Sequence, residues 1–368
     1  MYGGRGVGLL WTLALIGRLG VADYGLYGLG FALASIIGPP LDNPFMVRAA
    51  RESQENFLAE RTTRFLMGIG MMAAGVALLQ VNYIAWFGLF VAGGEIIFRV
   101  YQSQYFRDGH PERVSRIDTI QRLSGVGSAC IYLFLHHDPT LQVASMLYCL
   151  PYAVTALLAG VVALRHRPRL PGPPRLVFVL IGETLGIAAY LQGDVLLLGW
   201  LTNSTIVGYY TVSISISVAL AVIGQSYGMS FHQSLREANG DLAAGPRLRT
   251  TLLLGAATGS VVLIIGIGLL ISPAAAQLAI AMMLMSMFCA MRTVSSCFQV
   301  VLYTQRRDIL RLSANLGLVP VKLALVAVLA IFGAVGAATA TVITDAILLA
   351  IYATALYRGQ DASRRSKP

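Results

Sequence analysis

Apolar residues fall in long, nearly unbroken runs separated by short polar gaps. Twelve such runs lie near 6–20, 26–45, 64–82, 83–105, 117–136, 143–164, 176–201, 206–228, 250–271, 274–303, 309–332 and 334–357. About 20 apolar residues rising 1.5 Å each span the roughly 30 Å hydrocarbon core of a bilayer. The pattern therefore predicts an all-α integral membrane protein of about 12 transmembrane helices. The first run is shorter than the rest, as if the chain began slightly late in it. It lacks a small-residue cleavage site and leads straight into the second run, so no cleavable signal peptide is expected.

The gaps differ in a regular way. Every second gap is basic: Arg48, Arg51, Arg61 and Arg64; Arg107, Arg113 and Arg116; Arg165, Arg167, Arg169 and Arg175; Arg236, Arg247 and Arg249; Arg306, Arg307 and Arg311. The tail adds Arg358, Arg364, Arg365 and Lys367, whereas the intervening gaps hold only Arg18. Short Lys/Arg-rich loops stay in the cytoplasm, so alternation implies one crossing per run. An even number of crossings puts both termini in the cytoplasm. The opposite loops are very short: His136 to Gln142, Thr202 to Thr205, Ser272 to Pro273, and little more than Gly333.

The midpoint gap, Arg165 to Arg175, reads RHRPRLPGPPR, and its prolines predict an extended linker without helix. It divides the chain into a six-helix lobe at 1–165, a linker at 166–175, a second six-helix lobe at 176–357 and a basic tail at 358–368. The halves echo each other. Gly25-Leu26-Tyr27 opens the second run and Gly208-Tyr209-Tyr210 the eighth; Tyr101-Gln102 and Phe298-Gln299 stand near the ends of the fourth and tenth. Such echoes favour a two-lobed transporter built from parallel repeats. Gly182/Gly186 and Gly255/Gly259 have the spacing that lets helices pack closely in lipid.

Composition narrows the class. The mean hydropathy is +0.70, and 12% of residues are charged against about 25% in soluble domains. A net charge of +10 would point a soluble protein to nucleic acid; here the basic loops on one side account for it, and no nucleic-acid partner is expected. Cys130, Cys149, Cys289 and Cys297 all lie in apolar runs and read as small buried hydrophobes. His136-His137-Asp138 reads as a solvated external turn, so no metal is expected. There is no Gly-Lys-Ser/Thr nucleotide loop and no nucleophile elbow, which predicts no cofactor and no catalytic residue.

Three stretches resemble a known family. Arg18-Leu-Gly-Val-Ala-Asp23-Tyr24-Gly25-Leu-Tyr27 resembles the R-L-G-x-x-x-Y-G-x-Y signature of bacterial polysaccharide (O-antigen type) flippases. Asp194-Val-Leu-Leu-Leu-Gly-Trp-Leu followed by Val207-Gly-Tyr-Tyr210 is similar to the start of their second half, and Phe332-Gly-Ala-Val-Gly-Ala-Ala-Thr-Ala-Thr341 to the opening of their last helix. These flippases belong to the multidrug/oligosaccharidyl-lipid/polysaccharide exporter superfamily. The resemblance implies two lobes around a central cavity in the bacterial cytoplasmic membrane. It implies movement of a polyprenyl-diphosphate-linked oligosaccharide to the outer leaflet for cell-surface polysaccharide synthesis, by alternating access. Its implied partners are the lipid-linked sugar diphosphate, membrane lipids, and the polysaccharide polymerase and glycosyltransferases. The fuller first helix usual in the family is lacking here.

Charges within the runs each cost about 2.5–3.5 kcal/mol to insert. Arg99, Arg292 and Lys322 form a cationic set suited to a diphosphate, since guanidinium offers a permanently charged fork for phosphate oxygens. Arg292 and Lys322 have no evident local partner, whereas Arg99 stands i,i+4 from Glu95 and the two can neutralise each other. Arg18 is placed either to receive the diphosphate on the outer side or to snorkel to the interface. Asp194, Glu95 and Asp345 are candidates for ion coupling; Asp194 has Gln192 beside it and no i,i+4 basic partner, and cross-helix pairing is the alternative for each. Glu183 is a further charge in the seventh run. Gly38-Pro39-Pro40-Leu41-Asp42-Asn43-Pro44 is expected to interrupt the second run, either as a gate with Asp42 and Asn43 facing water or as the end of the helix. Pro151 and Pro320 read as kinks.

Two other functions fit the pattern less well. A multidrug/cation antiporter of the same superfamily calls for a carboxylate in the first helices of the N-terminal lobe, and the first run has none. A membrane polysaccharide polymerase or ligase needs a sizeable external loop bearing catalytic residues, and these loops are too short.

Overall fold

The computed structural model describes residues 2–49, 52–238, 240–271 and 275–365, with side chains described within 7–357. Arg51, the Ser272–Pro273 loop, Lys367 and the side chains of Arg358, Arg364 and Arg365 lie outside that description. The described residues form helices joined by short loops, with no strand among them. Its helices are α1 (Tyr2–Leu19), α2 (Val21–Ala49), α3 (Gln54–Ala77), α4 (Tyr83–Arg107), α5 (Pro111–Leu135), α6 (Leu141–Ala163), α7 (Pro174–Leu201), α8 (Ser204–Ser230), α9 (His232–Glu237), α10 (Leu248–Ile271), α11 (Ala276–Thr304), α12 (Asp308–Leu329) and α13 (Ala334–Arg365). Apart from the six-residue α9, they follow the twelve apolar runs. Among the described residues, nine are long and apolar enough to cross a bilayer. The other three are α1, whose described apolar stretch is Val7–Leu19, and α3 and α5, whose first halves carry Glu60, Arg61 and Arg64, and Arg113, Arg116, Asp118 and Arg122.

The chain divides into two compact units, with the division along the sequence after Gly199. In the first, α4 is the central helix, packed on α2, α3 and α6, while α5 lies against α6 and α1. In the second, α11 is central, packed on α8, α10 and α13, while α12 lies against α13. The same pairings thus recur in the same chain order. The linker at 166–173 is free of helix, as its prolines require. It is held to the first unit by bonds from Arg169 N to Ala59 O (3.3 Å), Thr63 Oγ1 to Arg169 O (2.7 Å) and Arg169 Nη1 to Asn56 Oδ1 (2.6 Å). α7 falls within the first unit, where the Asn43 amide donates to Leu180 O at 3.0 Å.

Two sequence expectations need correction. The prolines do not break the second run: α2 is one helix from Val21 to Ala49 with Pro39, Pro40 and Pro44 inside it. Three missing N–H donors leave the rest of the i→i−4 ladder intact, and α2 is clamped along its length against α4. Such interruptions are tolerated in membrane helices that neighbours support. Asp42 does not face water either; it is 1% exposed. The second correction concerns glycine. A side chain at Gly255 or Gly259 would come within 2.9 Å of a carbonyl of α11, so there the small residues set the close approach of α10 to α11, whereas at Gly182 nothing lies within 4 Å. α7 shows only a tenth of its apolar window buried, so the spacing at Gly182 carries no packing role in this arrangement.

Candidate functional site

The conspicuous polar feature of the first unit is one carboxylate shared by two guanidiniums. Asp42 on α2 accepts from Arg64 on α3 in a forked arrangement, Nε to Oδ1 at 2.5 Å and Nη2 to Oδ2 at 2.7 Å, with both side chains buried. Arg99 on α4 reaches the same Oδ2 at only 3.4 Å, and its side chain remains 39% exposed. The cluster carries one surplus positive charge, and geometry assigns it to Arg99. The i,i+4 pairing of Glu95 with Arg99 does not form. Glu95 Oε1 instead accepts from the Tyr152 hydroxyl of α6 at 2.6 Å. A side chain finds its partner on the neighbouring helix when that helix packs closer than the next turn of its own.

Arg64 is the residue that sequence reasoning missed, because it was read only as a loop marker. The signal was present: Phe57, Arg61, Arg64, Phe65, Gly68, Met72 and Gly75 are all buried at helical spacing, so Arg64 lies on the inward stripe of α3.

In the second unit, Arg292 on α11 meets Asp345 on α13, Nη1 to Oδ1 at 3.5 Å, with Asp345 almost fully buried. Lys322 on α12 is 3% exposed. Arg292, Lys322 and Asp345 are all engaged by partner groups, so the absence of a local partner in sequence did not leave them unpaired. The two units correspond here. Tyr101 and Phe298 stand 197 positions apart, and so do Glu95 and Arg292. Each of the latter pair is bonded to a helix packed on the central one of its unit, Glu95 to Tyr152 on α6 and Arg292 to Asp345 on α13. The repeat thus conserves the place of a polar inter-helix contact while reversing the charge on its central helix.

Asp194 on α7 is fully buried, and its Oδ1 accepts from the Val195 amide at 3.0 Å; it has further partners. Glu183 is exposed. Arg18 donates from Nε to Leu133 O (2.8 Å) and from Nη2 to His136 O (3.0 Å). It therefore satisfies the last carbonyls of α5, a common use of a basic side chain at a helix C-terminus. The stretch that carries the family signature is structural here. Gly20, at φ 88, turns the chain between α1 and α2, a conformation costly for residues with a Cβ. Tyr24 bonds Thr12 at 3.2 Å, and Tyr27 packs on Trp11 and Phe87. Among the described residues no group of three His, Cys, Asp or Glu side chains is placed to hold a metal. The four cysteines are free thiols.

No family model matches the sequence, and no curated protein matches it. Solved structures do. The chain is similar to a lipid II flippase MurJ in an inward closed conformation, with TM-score 0.75 and 11% identity over 96% of this chain and 85% of that one. It is also similar to an inward-facing multidrug resistance MATE family transporter of the MOP superfamily, with TM-score 0.67 and 12% identity over 99% and 96%. For an outward-facing transporter of that kind the TM-score is 0.55 at 14% identity, over 100% and 95%. At these identities the likeness establishes the fold alone, the all-helical fold that these structures share.

Proposed function

We propose that this protein is a flippase that moves a polyprenyl-diphosphate-linked oligosaccharide across the bacterial cytoplasmic membrane, with both termini in the cytoplasm, for cell-surface polysaccharide synthesis. The observation that carries this reading is Arg99. Its guanidinium is one turn from the middle of α4, half-exposed, and held at 3.4 Å by a carboxylate that Arg64 already satisfies. A diphosphate is a stronger bidentate partner than a shared carboxylate at that distance, so Arg99 is the group free to exchange partners. Arg292 and Lys322 supply further positive charge at mid-helix depth in the second unit. Arg18 belongs to the substrate path only when its bonds to α5 are released. Asp194, Glu95 and Asp345 are the carboxylates through which an ion gradient would drive the cycle. The fold shared with the lipid II flippase supports this reading, and the short loops opposite the basic ones in the sequence argue against a polymerase or ligase.

The MATE-like fold leaves multidrug/cation antiport as the competing reading, and one experiment separates them. The purified chain in liposomes is offered a fluorescent undecaprenyl-diphosphate oligosaccharide or a cationic dye. Flipping of the lipid-linked sugar is expected, with a loss of at least about tenfold in Arg99→Ala and in the double variant Arg292→Lys/Lys322→Ala, one bidentate contact being worth about 1.5–3 kcal/mol. Lysine keeps the ion pair with Asp345, so the protein level is expected to hold. Unchanged flipping by both variants refutes the diphosphate role, and transport of the dye alone establishes the antiporter.

A further inference from the structure

Glu183 on α7 lies outside the cationic set, the coupling carboxylates and the Asp42 cluster. It stands nine residues into the helix, ~14 Å from Pro174 at 1.5 Å per residue. It is exposed and belongs to none of the ion pairs formed among the described residues. Charged side chains within membrane helices face the protein interior or water, not lipid tails. The helix shows which side Glu183 is on. Tyr190 and Asp194 follow it by 7 and 11 residues, which at 3.6 per turn puts all three on one stripe. Tyr190 and Asp194 are 3% and 0% exposed, so the stripe is turned into the protein. The exposure of Glu183 is therefore an inward opening and not a lipid contact. Its neighbour Gly182 has open space around it. Three residues before Glu183, the Leu180 carbonyl accepts from the Asn43 amide at 3.0 Å and from the Thr184 hydroxyl at 3.1 Å. This turn of α7 is thus tied to α2 at the residue next to Asp42, the carboxylate that holds Arg99.

We infer that Glu183 is a specificity residue that reads the first sugar of the cargo and rejects acidic sugars there, an inference that rests on the flippase reading proposed above. With the diphosphate at Arg99, the sugar joined to it lies toward the α2–α7 tether, and Glu183 is one turn beyond that tether. An ionised carboxylate only accepts hydrogen bonds. It takes short, charge-assisted bonds from hydroxyls or from an amine, and its two oxygens suit a vicinal pair of hydroxyls. A sugar with its own carboxylate brings two negative charges together. At about 4 Å and an effective dielectric of about 20, that repulsion exceeds a tenfold change in an equilibrium. Neutral and amino sugars are accepted and uronic-acid sugars are turned away. The opposite charges of Arg99 and Glu183 also set the orientation of the head group, phosphate toward α4 and ring toward α7.

Transport is measured in liposomes with undecaprenyl-diphosphate bearing either glucose or glucuronate. The parent is expected to move the glucose lipid at least about tenfold faster. Glu183→Gln is expected to bring that ratio below about three, through a gain on the glucuronate lipid, because glutamine keeps an acceptor and drops the charge. A second measurement does not depend on turnover. Glu183→Cys, in a chain whose Cys130, Cys149, Cys289 and Cys297 are replaced by alanine, is treated in liposomes with a water-soluble maleimide. Fast labelling is expected, slowed several-fold by the glucose lipid. Leu185→Cys, on the opposite face at nearly the same depth, is expected to label slowly. An unchanged glucose-to-glucuronate ratio in Glu183→Gln overturns the specificity role and leaves the flippase reading standing. Labelling of Glu183→Cys as slow as that of Leu185→Cys overturns the inward opening. Movement of neither lipid by the parent overturns the flippase reading, and this role with it.

Discussion

Replacing Asp42 with alanine is the sharpest test of how the first unit is held together. The carboxylate accepts two short bonds from Arg64, and the side chains are 1% and 2% exposed. Removing it strands a buried guanidinium, which costs about 3–5 kcal/mol. For a unit of this size each kcal/mol moves the melting midpoint by about 2–4 °C, so a drop of about 6–20 °C is expected. Arg99→Ala is the control. It leaves the Asp42–Arg64 fork complete, and a pair with one partner 39% exposed is worth under about 1 kcal/mol, so the midpoint moves by no more than about 4 °C. The double variant Asp42→Leu/Arg64→Met replaces the pair by apolar groups of similar volume and is expected to recover most of the loss. The assay is the monodisperse fraction of detergent-solubilised protein after a heating series. A midpoint for Asp42→Ala within 2 °C of the parent, or an Arg99→Ala variant as damaged as Asp42→Ala, refutes the argument that Arg64 and Asp42 form the structural pair and Arg99 the exchangeable one.

Two further outcomes follow from the packing. Gly255→Leu is expected to lower the yield of folded protein several-fold, because its side chain would meet the Ala290 carbonyl of α11, while Gly182→Leu, with open space around it, leaves the yield unchanged; equal yields in a fluorescence size-exclusion comparison would sink the packing account. Arg18→Ala is expected to lower the midpoint by about 2–12 °C through loss of its two bonds to α5, at about 0.5–1.5 kcal/mol each, and a variant with the parent's midpoint would return Arg18 to the candidates for substrate contact alone.

The number of long helices is legible in the sequence because it rests on a local quantity, whereas the division into units is not: the first unit takes in α7 and ends at Gly199. A run long enough to span hydrocarbon is a fixed count of residues at a fixed rise, and Pro171 and Pro173 stand in a linker that is free of helix. The repeat is legible too, since Tyr27 and Tyr210 both take buried places on equivalent helices. The partners of the charges are not legible. Glu95 and Arg99 have the spacing of a helix-surface pair, yet one bonds Tyr152 and the other Asp42, because the facing helices α6 and α2 bring a partner closer than the next turn does. Arg64 looks like a loop arginine until α3 is rolled against α4 and its inward stripe is seen. Pro39, Pro40 and Pro44 read as a break because local propensity counts only lost donors, and packing on α4 outweighs them. What the sequence determines by itself is where this chain crosses the membrane; which charges meet across the helices, and so which are structural and which are exchangeable, is decided only by tertiary packing, since an ion pair is set by distance in space and not by separation along the chain.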